Sequence, residues 1–226
     1  MAHEGHDHDH KHSHHHHHPG HEHGHDHEHS HGHEHGHGEH SHGHEHGHGE
    51  HGHHEHPHES PSAREHKAHA PVHVSAFVVT CSDSRDAKRD ESGRVLRELL
   101  EAEGHTVSGT KLIPDDPDAI RATLQEARDT GARAVLFTGG TGIGRRDSTV
   151  ETLRSVFEKE LPGFGELFRM LSFQEIGSPA MMSRATAGTW QGMILFALPG
   201  SPQAVRLALH KLILPELGHA VRELTR

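Results

Sequence analysis

The stretch Ala134-Val135-Leu136-Phe137-Thr138-Gly139-Gly140-Thr141-Gly142 decides the fold. Residues 134–137 are wholly apolar and too few for a helix. They run straight into glycine, the pattern of a strand buried on both faces that ends in a tight loop. Upstream, residues 72–80 are apolar and β-branched and read as a first buried strand. Ser92-Gly93 then opens a helix whose apolar positions Val95, Leu96, Leu99, Leu100 and Ala102 share one face, with Gly104 at its end. Residues 106–113 read as a second strand, closed by Pro114. Asp116-Pro117 caps and starts a helix through Ala127, with Gly131 just past its end. Strand–helix–strand–helix–strand requires right-handed crossovers and a parallel sheet covered on both faces. Downstream, helices are expected at 149–157 and 165–173, strands at 185–189 and 193–198 around Gln191-Gly192, and closing helices at 202–214 and 215–224. The expected fold class is α/β, with a doubly wound, mostly parallel sheet.

This reading holds for only part of the chain. Of 35 histidines, 31 lie in residues 1–70, leaving His73, His105, His210 and His219. Residues 1–70 carry a net charge of −10 and only five apolar residues, whereas residues 71–226 carry −1 and an ordinary globular composition. Two domains follow: a histidine-rich tail and linker over 1–70, and a globular domain of 156 residues over 71–226, large enough to bury a core. With almost nothing to bury, the tail has no offset for its ordering entropy and is expected to be disordered. It alternates histidine with Glu, Asp, Gly and Ser, and residues 57–71 form a charged linker punctuated by Pro57, Pro61 and Pro71. Neutral imidazole ligates transition metals, so such an array is suited to several Zn²⁺ or Ni²⁺ ions without a defined site, and no single histidine stands out. The plainer alternative is a solvated spacer.

Other classes are excluded by the same counting. The longest apolar run, residues 193–198, is far too short to span a bilayer, and no apolar signal-peptide stretch stands at the N-terminus. No basic patch or aromatic platform points to nucleic acid. Cys81 is the single cysteine, so neither an internal disulfide nor a cysteine-rich zinc site can form. A cytoplasmic protein with no membrane or nucleic-acid partner is expected.

In an open α/β sheet, ligands bind outside the carboxyl ends of the strands. The glycine loop after Phe137 lies at that edge, and so does Pro199-Gly200-Ser201-Pro202 after residues 193–198. Two glycine-bearing turns there make an anion site, through exposed backbone N–H groups and helix N-termini. Residues 139–149 lack the Gly-Lys-Ser/Thr of a P-loop, and Arg145 breaks a Gly-x-Gly-x-x-Gly pattern. Instead the glycines lead into Arg145, Arg146, Asp147, Ser148, Thr149 and Glu151. Arginine clamps phosphate, whereas an adjacent carboxylate repels it unless Mg²⁺ lies between. The plainer alternative is that Asp147 and Ser148 only cap the following helix. Cys81-Ser82-Asp83-Ser84-Arg85 resembles the zinc-binding segment of β-type carbonic anhydrases, but that site needs a second cysteine, which this chain lacks.

Five motifs in order resemble the MoaB/MogA family of molybdenum cofactor biosynthesis proteins, over residues 72–222. They are Thr138-Gly139-Gly140-Thr141-Gly142 with Arg146-Asp147-Ser148-Thr149 and Glu151, Pro162-Gly163-Phe164-Gly165-Glu166-Leu167-Phe168-Arg169, Leu171-Ser172-Phe173, Ser183-Arg184-Ala185 with Ala187-Gly188, and Leu198-Pro199-Gly200-Ser201-Pro202. The resemblance implies a three-layer α/β fold, a homotrimer or homohexamer, and a pocket for molybdopterin. In competent members it implies adenylyl transfer from ATP with Mg²⁺. It implies Asp147 as the essential catalytic aspartate and Mg²⁺ ligand and Asp115 as a second functional acidic residue. Thr138, Gly139, Gly140, Thr141, Gly142 and Arg146 would hold nucleotide phosphates, and Ser183, Arg184, Pro199, Gly200 and Ser201 the pterin phosphate or adenylate. Asp83 and Ser84 would contribute after the first strand. A non-catalytic molybdopterin carrier or scaffold with a metal-buffering tail is the alternative function.

Overall fold

Along β1 (Ser75–Cys81), alternate side chains enter two different cores: Ala76 and Val78 on one face, Phe77, Val79 and Cys81 on the other, all buried. β3 (Ala134–Thr138) divides in the same way, with Ala134 and Leu136 opposite Val135 and Phe137. In β6 (Met193–Leu198), Ile194, Phe196 and Leu198 lie opposite Met193, Leu195 and Ala197. Covered on both faces, these strands have no solvent side to populate with polar residues, so they read as unbroken apolar runs. The structure, a computed structural model, describes residues 73–83 and 89–226. The histidine tail, its linker and Ser84 lie outside the described residues.

Helices supply the outer layers. On the first face α1 (Glu91–Ala102) brings Val95, Leu96 and Leu100, and α4 (Pro162–Ile176) brings Phe168. The C-terminal helical run completes that face with Val205, Leu209, Ile213 and Leu217. On the second face α2 (Pro117–Asp129) brings Ile120, Leu124 and Ala127, and α3 (Thr149–Val156) brings Leu153. With β2 (Thr106–Ile113), β4 (Lys159–Glu160) and β5 (Thr186–Trp190), the six strands run in the order β2-β1-β3-β6-β5-β4. β2, β1, β3 and β6 are parallel, whereas β5 is antiparallel to both β6 and β4. The chain passes from β1 over α1 to β2, then back over α2 on the opposite face to β3, on the far side of β1. The direction of winding therefore reverses between β1 and β3, and a crevice opens at their carboxyl ends.

The expected α/β class and most elements stand, with informative differences. α1 starts at Glu91 because Asp90 caps it: the Asp90 carboxylate accepts from Gly93 N at 2.9 Å and from Thr80 Oγ1 at 2.7 Å. α4 is longer than its apolar pattern, since Pro162 is preorganised for a first turn and Gly177, at φ 69°, ends it. The two residues of β4 are too few to carry a periodic signal. The two closing helices are one continuous run, with a π-helical segment (Leu209–Ile213) between α5 (Pro202–Ala208) and α6 (Leu214–Glu223). Pro215 has no N–H, and its ring would press on the carbonyl of Lys211 four residues earlier; the wider π turn gives that ring room. Among the described residues, no helix is long and apolar enough to cross a membrane.

Candidate functional site

A cavity of about 540 Å³ occupies the crevice where the winding reverses. Cys81 and the glycine loop line it from the strand ends; Asp83, Asp115, Arg146 and Asp147 add charge; Pro199, Gly200 and Ser201 add the second turn. An apolar part comes from Phe168 and Ile176 of α4 and from Ala180 and Met182 of the 3₁₀ segment Ser178–Met182.

Close backbone approach explains the glycines. Gly139 donates its N–H to Leu198 O at 3.0 Å and sits at φ 94°. A Cβ there would lie 2.2 Å from the carbonyl oxygen of Cys81. Gly140, at φ 63°, passes so near α3 that a Cβ would meet Thr149 Oγ1 at 2.2 Å and an Asp115 oxygen at 2.3 Å. The loop thus leaves β3 between two neighbouring strand ends, turning backbone rather than side chain to the cavity.

The aspartates do different work. Asp115, in the connection from β2 to α2, accepts from Ser148 N at 3.2 Å, Ser148 Oγ at 3.0 Å and Thr149 Oγ1 at 2.9 Å. It therefore caps α3 from a distant part of the chain, and the Ser148 side chain makes no capping bond of its own. Asp147 is not the cap either. Its carboxylate turns back and accepts from Gly144 N at 2.7 Å, closing the loop on itself, and remains half-buried. Asp83 accepts from Asp115 N at 3.2 Å and lies 3.7 Å from the Arg146 guanidinium, whose side chain is 87 % exposed.

Two residues expected at the site face elsewhere. Thr138 is fully buried and donates its hydroxyl to Pro199 O at 3.0 Å, joining the two turns from behind. Arg184 does not line the cavity: Nε donates to Thr141 O at 3.3 Å, Nη2 to Asp147 O at 3.2 Å, and Nη1 to Glu151. Ser183 lines the cavity, and Ser201 caps α5 by accepting from Ala204 N at 3.2 Å. Gly200 is fixed through its carbonyl by Ser92 Oγ at 2.8 Å. Burial pushes the Cys81 thiol up to about 12, the hydrogen bond with Thr149 opposing and the Asp115 charge adding to it, so the thiol stays neutral and acts in packing. Of the apolar lining, Phe168 was expected only as part of a helix, and Ile176 and Met182 fell outside every expected element, with nothing local to aim them at a cavity.

A family model described as a "probable molybdopterin binding domain" matches residues 77–219, which include every residue lining the cavity and all of the sheet but Ser75 and Ala76. The chain belongs to the MoaB/MogA family of molybdenum cofactor biosynthesis proteins. It is 49 % identical over 167 residues to molybdenum cofactor biosynthesis protein B of Bacillus subtilis, covering 73 % of this chain and 98 % of that relative. A crystal structure of a molybdenum cofactor biosynthesis protein B superposes with a TM-score of 0.66 at 48 % identity, over 70 % of this chain and 99 % of that one. The tungsten cofactor synthesizing protein MoaB from Pyrococcus furiosus superposes at 0.64 and 40 % identity, over 70 % and 100 % respectively. The match to the family model begins at Phe77, after the histidine-rich tail.

Proposed function

We propose that this chain adenylylates molybdopterin with ATP. The observation that carries the reading is the single cavity that gathers the glycine loop, the half-buried Asp147 and the Pro199-Gly200-Ser201 turn at one sheet edge. In the reaction, an oxygen of the molybdopterin phosphate attacks the α-phosphorus of ATP in line. The bond to the bridging oxygen breaks, and pyrophosphate leaves with that oxygen. Both reactants are anions, so the chain must offset their repulsion. Backbone N–H groups of the loop and the exposed Arg146 are suited to that task.

Among the described residues, no group of three or more His, Cys, Asp or Glu side chains could hold a metal by itself. Asp147, with Asp83 near the same cavity, instead fits a Mg²⁺ that shares its ligands with substrate phosphates and water. When bound, Mg²⁺ would neutralise phosphate charge. Asp115 is already taken up by its three donors from Ser148 and Thr149. Its role in this reading is to hold the start of α3 and, through it, Asp147. The test is incubation of the purified protein with molybdopterin, ATP and Mg²⁺ and detection of adenylyl-molybdopterin by mass spectrometry. Molybdopterin binding without turnover would establish the carrier function instead.

The tail adds transition-metal binding to this proposal. A free histidine titrates near pH 6.5, so roughly nine-tenths of such groups are protonated at pH 5.5 and roughly a tenth at pH 7.5. Protons and metal compete for the same nitrogens. The full chain is therefore expected to hold several Zn²⁺ or Ni²⁺ ions at pH 7.5 and to release most of them by pH 5.5. Equilibrium dialysis of the full chain and of residues 71–226 measures this. Equal metal content in the two at pH 7.5 would reduce the tail to a spacer.

A further inference from the structure

Arg184 stands just before β5, at the end of the 3₁₀ segment, and points at the glycine loop from behind. Its three nitrogens are all committed. Nε and Nη2 take the carbonyls of Thr141 and Asp147, the residues on which the exposed excursion 142–146 begins and ends. Nη1 takes the carboxylate of Glu151 in the first turn of α3. Burial disfavours ionisation of Glu151, but the hydrogen bond from Arg184, a backbone hydrogen bond and the charges of Arg184 and Arg154 together hold that carboxyl below its ordinary range. The family resemblance implies an anion-holding role for this arginine, whereas its place behind the loop, outside the cavity lining, does not.

We infer that Arg184 is a positioning residue: its planar fork clamps the two ends of the glycine loop to α3 and so fixes where the Asp147 carboxylate stands. The inference rests on the adenylylation proposal for its kinetic consequence, but not for its structural one. A guanidinium suits the task because its donors lie in one rigid plane and it stays charged. Hydrogen bonds from a charged donor to otherwise poorly solvated carbonyls are among the stronger ones, so their loss should let the loop open more often.

The experiment compares wild-type full chain with Arg184→Met, which keeps an unbranched stem but removes every donor, and with Glu151→Gln, at an exposed position. Arg145 lies on the exposed part of the loop, so trypsin cleavage after it, followed by mass spectrometry, reads loop opening directly. Cleavage should quicken about tenfold in Arg184→Met and about threefold in Glu151→Gln. With adenylylation as readout, kcat should fall about tenfold or more in Arg184→Met, while KM for ATP stays within about twofold. Unchanged cleavage in both variants overturns the clamp, as does a raised KM for ATP with kcat intact, which would make Arg184 a phosphate ligand. If Arg184→Met does not fold, cleavage of Glu151→Gln decides alone, and no acceleration overturns the clamp. If the wild type forms no adenylyl-molybdopterin, the adenylylation proposal fails while the cleavage rates still decide the clamp.

Discussion

Asp147→Asn should lower adenylyl-molybdopterin formation by roughly two to four decades, the scale of losing a principal electrostatic contributor to a transition state. The amide keeps the shape of the side chain and one oxygen that can still accept from Gly144 N, the 2.7 Å contact that closes the loop. What it loses is the charge that would hold Mg²⁺ against the phosphates. Folding should be little affected, because the cap of α3 comes from Asp115 and not from Asp147. Steady-state turnover at saturating Mg²⁺, with a urea unfolding curve on the same sample, separates the two effects. Near-normal turnover would leave Asp147 as a loop-closing residue only and would favour the carrier.

The second large effect is structural. Gly139→Ala should destabilise the fold by about 2–5 kcal/mol, combining a left-handed backbone with a steric clash. The clash is with backbone: the new Cβ would lie 2.2 Å from the Cys81 carbonyl oxygen at the end of β1. Neither partner can move cheaply, since Gly139 N is bonded to Leu198 O and Cys81 is paired in register with Ile113. Gly131 provides the control, at φ 78° with nothing within 4 Å of an added Cβ. Gly131→Ala should cost only its backbone strain, about 1–2 kcal/mol. Urea midpoints of the two variants measure the difference, and equal midpoints would show that the sheet edge yields to the methyl group.

Much of this protein is written locally. The cores on both faces follow from strands with no polar alternate, as in Val135-Leu136-Phe137, because a strand that meets helices on each side has no solvent face. Asp116 followed by Pro117 marks the start of α2, because a cap and a fixed φ act within one turn; the Asp116 carboxylate accepts from both Asp118 N and Ala119 N. The glycine loop announces a sheet edge where backbone passes close to its neighbours, because glycine is needed where backbone must turn sharply beside another strand. The expectation of a tail separate from the core rests on counting apolar side chains alone.

What only the tertiary structure decided are the partnerships between distant residues. From sequence, Asp147 and Ser148 were natural caps for α3, yet the carboxylate that does it is Asp115, 33 residues before Ser148. Arg184 and Thr138 belong to motifs that suggest phosphate binding, yet one clamps the loop from behind and the other bonds Pro199 O beneath it. The apolar part of the cavity depends on which side of α4 and its 3₁₀ extension turns towards the strand ends. The π segment before Pro215 arises because a buried, packed helix bends to keep its contacts where an isolated one would stop. Periodicity reports which side chains are buried. It carries no information on which neighbour each hydrogen bond finds, because that depends on how the sheet brings separate stretches of chain together.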